Sequence, residues 1–280
     1  MGLKNFIERH PVLSYFILVY LFTWGSILLI VPALNSSGET DPAARTAFVS
    51  LPLLIAPGLV GVTLTGLLEG KAGMRAMFSR LAHWRVGMGW YAVALGLMPI
   101  LILAILFGLA LLISPAFTPV LSLLGLAGIA AGYLEEIGWT GFATPRLLSR
   151  WSPLKVGLIM GLLWGLWHGL ADYSIRGDTL GTFWPITFSL FVLPLTAWRI
   201  LMVWVYDNTH SGPVAQIMHF SYTGSLGFFV PLAAISPIQD ALIYAVLMVV
   251  LWLVVPFLAV ARRRASEIYS VNSSATPRIS

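Results

Sequence analysis

Apolar runs of about 20 residues recur along this chain of 280 residues, and they restrict its fold more than any other feature. A helix needs about 20 mainly apolar residues to cross the hydrocarbon core of a bilayer. Inside that core only helices and closed barrels satisfy every backbone polar group. The runs predict an all-α integral membrane protein with about eight transmembrane helices. The predicted spans are 12–34, 46–68, 90–113, 119–143, 154–173, 182–205, 211–231 and 239–261.

Positive charge is distributed unevenly between the connecting segments. With the N-terminus placed inside, all 16 Lys and Arg residues except Arg45 and Arg176 fall on the inner side. Cytoplasmic loops of membrane proteins carry such an excess, so both termini are predicted to be cytoplasmic. The net charge of +5 therefore reflects membrane topology, and we expect no nucleic-acid partner. We predict a multi-pass protein of a bacterial cell membrane.

The same pattern divides the chain into four parts. Residues 1–114 hold three spans, and within them 70–91 alternates basic residues with Met, Phe and Trp. This alternation predicts an amphipathic helix on the inner surface before the third span. Residues 115–235 form a core that contains the polar residues discussed next. The last span is assigned to 236–264, and 265–280 is predicted to be a disordered cytoplasmic tail.

Four ionisable residues stand out within the predicted spans: Glu135, Glu136, His168 and His219. A charged side chain at the centre of a span costs roughly 2.5–3.5 kcal/mol on insertion scales, so such residues usually face the bundle interior and mark function. A desolvated glutamate can act as a general base near neutral pH. One carboxylate and two histidines could also bind zinc with one position open for water. Alternatively, a histidine could stabilise an oxyanion.

Helical spacing places three further side chains beside these four. Trp164 lies four residues before His168, so the two share a helix face. Gln216 and Thr223 share a face with His219 at spacings of three and four. These positions predict one polar cavity shared by three helices.

Glycines predict where those helices approach one another. Gly128 and Gly132 lie on the face of Glu135, and glycines recur every four residues at 157, 161 and 165. Small residues let membrane helices pack closely. Arg199 lies near a span end, and we expect it to extend to the interface. The chain has no cysteine, which excludes disulfides and cysteine-ligated metal.

Three stretches carry a family resemblance: "EEIGWTGFATPRL", "WGLWH" and "NTHSGPVAQIMH". Their order and spacing resemble the CPBP family of CAAX prenyl protease type II and bacteriocin-processing (Abi) intramembrane proteases. The resemblance covers roughly 115–235. In the family's first motif, Glu-Glu-x-x-x-Arg, the glutamates match and Thr140 occupies the arginine position. In the second motif Trp164 replaces the usual Phe before His168, and in the third Thr223 follows His219 where the family has Asn or an Asp-like residue.

The resemblance implies a role for each of these residues. Glu135 would activate the attacking water together with His168, while His219 and Thr223 would stabilise the oxyanion. Glu136 lacks the arginine of the motif, and Arg146 could reach back to replace it. Trp164 and Gln216 would support the site or the substrate. Both a zinc site formed by Glu135, His168 and His219 and a metal-independent glutamate mechanism remain open.

The predicted activity is hydrolysis of a peptide bond in or next to the membrane, with a membrane-embedded or membrane-proximal peptide as substrate. One alternative is a non-catalytic relative that binds or shields peptides, such as an immunity or assembly factor. The threonines at 140 and 223 favour it. Another alternative is a proton-coupled transporter, which the lack of an internal repeat argues against.

Overall fold

The computed structural model describes residues 2–39 and 41–274, and within these ranges it contains helices, turns and loops but no strand. This confirms the predicted all-α membrane fold. The helices before the core are α1 (Leu3–Arg9), α2 (Pro11–Ser37), α3 (Pro42–Leu81) and α4 (Met88–Leu112). The later helices are α5 (Ala127–Gly138), α6 (Thr144–Leu148), α7 (Pro153–Trp167), α8 (Gly169–Leu180), α9 (Trp184–Thr209), α10 (Gly212–Phe229) and α11 (Pro237–Ser274).

Each of the eight predicted spans contains helical residues, but the observed helices differ in length. Within the described residues, five stretches are long and apolar enough to cross a membrane: 11–37, 42–81, 88–112, 169–209 and 237–257. The other three predicted spans correspond to α5, α7 and α10, which have 12, 15 and 18 residues. The chain is therefore a multi-pass membrane protein whose polar core includes helices shorter than a full span.

The predicted fourth span, 119–143, is the one that departs most from a regular helix. Ser114 and Ser122 each accept a hydrogen bond from the backbone N–H two residues later and begin 3-10 turns at Pro115–Phe117 and Leu123–Leu126. Serine in such a position competes with a continuous α-helix. Helix α5 consequently begins only at Ala127.

The amphipathic helix predicted after the second span is present and is joined to it by a kink. Gly70 has φ 61° and ψ −151°, a conformation that favours glycine, and it separates the span from residues 71–81. Gly73 and Met77 are buried on one face of this segment, whereas Arg75 is exposed. The helix ends at Leu81, so the predicted helix is present but shorter than 70–91, and its location on the membrane surface stays a prediction.

The C-terminal tail is helical over part of the range predicted to be disordered. Helix α11 continues to Ser274, which corrects the prediction for 265–274. The sequence from 258 to 274 contains neither proline nor glycine, so nothing in it ends a helix that begins in the last span. Residues 275–280 lie outside the described residues.

Glycine faces bring the core helices together as predicted. A Cβ at Gly132 would lie 2.6 Å from the Gln216 carbonyl oxygen of α10, and a Cβ at Gly128 would lie 2.6 Å from the Gly224 nitrogen. On α7, a Cβ at Gly161 would lie 2.7 Å from the Thr196 Cα of α9. These distances are below any normal Cβ contact. The close packing of α5 on α10 and of α7 on α9 therefore depends on the absence of side chains.

Candidate active site

The two adjacent glutamates lie at the end of α5, where the helix widens. Residues Trp139–Ala143 form one π-helical turn directly after Gly138. Such turns occur frequently at functional sites. Both carboxylates are buried, and each is bound by the residue four positions later. The Trp139 indole donates to Glu135 Oε2 at 3.3 Å, and the Thr140 hydroxyl donates to Glu136 Oε2.

Glu136 forms a buried ion pair with Arg199 of α9. The guanidinium donates from Nη2 to Oε1 at 2.7 Å and from Nη1 to Oε2 at 3.0 Å. Both side chains are essentially inaccessible, with 1% and 0% of their surface exposed. The expectation that Arg199 extends to the interface was therefore wrong, because α9 places it beside a carboxylate that would otherwise be unpaired.

This pair explains how the chain tolerates threonine at the motif's arginine position. Arg199 supplies the positive charge from another helix, and Thr140 adds a hydrogen bond to the same carboxylate. Arg146, considered above as the replacement, does not reach Glu136. It pairs with Glu69 and donates to the Phe142 carbonyl at 2.8 Å.

His219 of α10 joins the two glutamates. Its Nδ1 lies 2.8 Å from Glu136 Oε1, and its Nε2 lies 3.9 Å from Glu135 Oε2. Because Glu136 is already paired with Arg199, its carboxylate acts as the acceptor and Nδ1 carries the hydrogen. This bond fixes the ring so that Nε2 is directed towards Glu135. A separation of 3.9 Å between two polar atoms leaves space for contact through a water.

His168 lies at the junction between α7 and α8. Its Nδ1 is 2.8 Å from the Trp164 carbonyl oxygen, and since a carbonyl only accepts, Nδ1 must be the donor. In the neutral ring Nε2 is then an acceptor. The ring packs edge-on against Trp164, Trp167 and Phe191. His168 is thus held in one orientation with a proton-accepting nitrogen available.

Trp164 connects the separate parts of the site. Its indole N–H donates to Glu135 Oε2 at 3.1 Å, and its carbonyl accepts from His168. Its ring lies 4.7 Å from the ring of His219 and 4.0 Å from the Arg199 guanidinium carbon. Substituting an aromatic residue that lacks an N–H would therefore remove one of the two indole donors to Glu135.

A cavity of about 240 Å³ lies where these residues meet. Glu135, His168, His219 and Thr223 line it, as predicted from helical spacing, together with Trp164. Its remaining walls are mainly apolar and include Phe191 and Leu195. Glu136 does not line the cavity. The two carboxylates therefore differ: Glu135 borders the cavity, whereas Glu136 contacts His219, which borders it.

Two tyrosines that were not predicted from the sequence also border the cavity. Tyr222 follows His219 by three residues and Tyr244 comes from α11. The Tyr222 hydroxyl is buried and has no hydrogen-bond partner among the described residues. The i, i+3 spacing from His219 was a signal for Tyr222, whereas nothing in the sequence placed α11 beside the core.

Gln216 lies away from the cavity, contrary to the predicted shared face. It donates to the Tyr133 carbonyl at 3.3 Å and borders a separate depression with Ile129 and Pro213. The close packing of α5 against α10 separates Gln216 from the side of the helix that His219 uses.

The predicted zinc ligands Glu135, His168 and His219 line the same cavity, but they do not form a metal-binding group. Among the described residues, no three His, Asp or Glu side chains form a group that could hold one ion. Glu135 is bound by two indoles, and each histidine uses Nδ1 to bind protein.

Comparison with known proteins identifies the same part of the chain. Residues 117–225, which include every residue of the site named above except Tyr244, match the family model described as Rce1-like, type II CAAX prenyl endopeptidase. The predicted family resemblance is confirmed. A protein named CAAX prenyl protease 2 from Methanococcus maripaludis is 27% identical over 229 residues, which cover 74% of this chain and 80% of the relative. The Rce1-like segment and the long apolar helices together support a CAAX-protease-like intramembrane endopeptidase.

Proposed function

We propose that this chain hydrolyses peptide bonds at the membrane with a water activated by Glu135 and His168. The observation that carries the proposal is the division of roles between the two carboxylates. Glu136 has its oxygens occupied by Arg199, His219 and Thr140, so it serves to position. Glu135 has both indole donors on Oε2 and borders the cavity, so it can contact a water there.

In the proposed reaction the water oxygen attacks the carbonyl carbon of the scissile peptide bond. Its proton passes to Glu135, and His168 Nε2 accepts the second hydrogen bond of the water. The C–N bond of the tetrahedral intermediate then breaks, and Glu135 returns the proton to the leaving nitrogen. The products are one new carboxyl group and one new amine, so atoms and charge balance.

His219 and Thr223 are the proposed donors to the oxyanion. The Glu136–Arg199 pair holds the His219 ring, with Nε2 directed towards Glu135 and the cavity. In the proposed step, a hydrogen on Nε2 is donated in a hydrogen bond to the oxyanion. Thr223 lines the same cavity, and its hydroxyl can donate one hydrogen bond. Donors fixed before the reaction stabilise developing charge more effectively than mobile ones.

The proposed substrate is a membrane-embedded or membrane-proximal peptide. The cavity volume, about 240 Å³, is below the range of about 300–1,000 Å³ typical of sites that enclose a drug-sized ligand. It therefore suits the reacting peptide bond and its neighbours, while the rest of the substrate lies outside. The name of the Methanococcus maripaludis relative makes a prenylated C-terminal peptide the first substrate to test.

The test compares wild type, Glu135→Gln and His168→Ala, expressed at matched levels, by sequencing new peptide N-termini in the membrane proteome. Glu8→Gln is the control, because Glu8 is exposed and its pairing with Lys4 at 3.9 Å contributes little. We expect cleavages with wild type and with the control, and none with either site variant. Cleavage that persists in Glu135→Gln overturns the mechanism. If none of the folded proteins, wild type included, produces new N-termini, the result would instead favour a non-catalytic, peptide-binding role, which the threonine at 223 would suit.

A further inference from the structure

A second, larger cavity of about 430 Å³ lies between the start of α2 and the segment formed by α6, the following loop and α7. Its lining combines basic residues with apolar ones, and no Asp or Glu is among them. Arg9, His10 and Arg150 are exposed and belong to its rim. The reaction proposed above uses none of these residues.

The rim carries positive charge that no acidic side chain among the described residues neutralises. Arg146, which also lines the cavity, is paired with Glu69. Arg9 and Arg150 have no acidic partner among the described residues, since the nearby Glu8 pairs with Lys4. Two free guanidinium groups next to one cavity favour a bound anion, and guanidinium binds phosphate oxygens in a bidentate manner.

The deeper walls are apolar and follow the helices into the bundle. Leu13 and Phe16 line the cavity from α2, and Ile159 and Leu163 line it from α7. At about 1.5 Å per residue, Leu163 lies roughly 15 Å along α7 from its first residue. The Tyr20 hydroxyl donates to the Leu163 carbonyl at 2.6 Å and joins the two helices at that depth. The cavity therefore has a charged mouth above an apolar slot.

We propose that this cavity binds an anionic phospholipid, with its phosphate at Arg9 and Arg150 and one acyl chain between α2 and α7. Both arginines fall on the side that the distribution of basic residues assigns to the cytoplasm, where the leaflet carries anionic lipid. A small anion alone would use the rim but not the apolar slot. The lipid uses both, which makes it the occupant that best matches the lining. The inference does not depend on peptidase activity.

The experiment measures lipid bound to the detergent-purified full-length protein by native mass spectrometry. Phosphatidylglycerol is compared with phosphatidylcholine of identical acyl chains, and inorganic phosphate is added as a competitor. The test variant is Arg9→Gln/Arg150→Gln. The control is Lys71→Gln/Arg75→Gln, which removes two exposed basic residues on the same predicted side that do not line the cavity.

We expect selective binding of phosphatidylglycerol with an affinity about 25-fold lower in the Arg9/Arg150 variant, at roughly fivefold per basic residue near an anionic surface. The control should bind as wild type does. Equal binding of the two lipids, or an unchanged affinity in the test variant, would overturn the proposal. Displacement of the lipid by millimolar inorganic phosphate would also overturn it, because it would show a site for the phosphate group alone.

Discussion

Replacing Arg199 with methionine would remove both cationic hydrogen bonds from Glu136 while retaining a long side chain against Trp164. The pair is wholly buried, with donor–acceptor distances of 2.7 and 3.0 Å. Removing one partner of a buried ion pair leaves the other charge without compensation and costs about 3–5 kcal/mol. Single domains have a total stability of about 5–15 kcal/mol, so the loss is a large fraction of the whole.

The assay is thermal unfolding in detergent, followed by tryptophan fluorescence. At about 2 °C per kcal/mol for a chain of this size, Arg199→Met should lower Tm by roughly 6–10 °C. Glu136→Gln/Arg199→Met removes both charges together and should recover at least half of that loss, since an unpaired buried charge is what destabilises the single variant. A Tm within about 1 °C of wild type for Arg199→Met, or additive effects in the double variant, would refute this reasoning.

A second variant tests whether the positive charge beside Glu136 must come from Arg199 of α9. In the Arg199→Met background, Thr140→Arg places a guanidinium four residues after Glu136, where the two side chains are neighbours on the helix. Partial recovery of Tm would show that Glu136 requires a positive charge but not one from α9.

Further predictions concern packing and the cavity lining. Gly138→Ala should abolish folding, because its Cβ would collide with the Pro57 backbone carbonyl. A Cβ at Gly25 would have nothing within 4 Å, so Gly25→Ala should leave Tm unchanged or raise it slightly. The yield of folded protein and its Tm test both predictions. Gln216→Ala should keep the wild-type cleavage rate, because Gln216 lies outside the cavity. Thr223→Ala should reduce that rate about 10²-fold or more if its hydroxyl binds the oxyanion; a single-turnover assay on one identified substrate distinguishes these results.

Much of the bundle could be predicted because hydrophobic length and small-residue spacing are local properties of the sequence. The glycines at 128 and 132 predicted close approach of another helix, and that helix is α10. His219 and Thr223 were placed together by their spacing and do line one cavity. Their catalytic roles remain predictions, since position alone does not establish chemistry.

The wrong predictions concern side chains whose contacts depend on a neighbouring helix and not on spacing along their own helix. Arg199 is 63 residues from Glu136 in sequence, and its position near a span end suggested contact with the interface. Gln216 shares helical spacing with His219, but the packing of α5 beside α10 assigns it to Tyr133 instead. Spacing gives the face of a helix, whereas the packing partner determines what that face contacts.

The arrangement around Glu136 also has a consequence for biosynthesis. The chain is made from its N-terminus, so the segment with Glu136 leaves the ribosome well before the residues that bind it, Arg199 and His219. Until both arrive, an ionised carboxylate in the bilayer is costly. We expect α5 to remain at the aqueous boundary during synthesis and to enter the bundle only after α10 is complete. Assembly of the candidate site would then be a late event in the maturation of the protein, and chains truncated before the end of α10 would contain no assembled site.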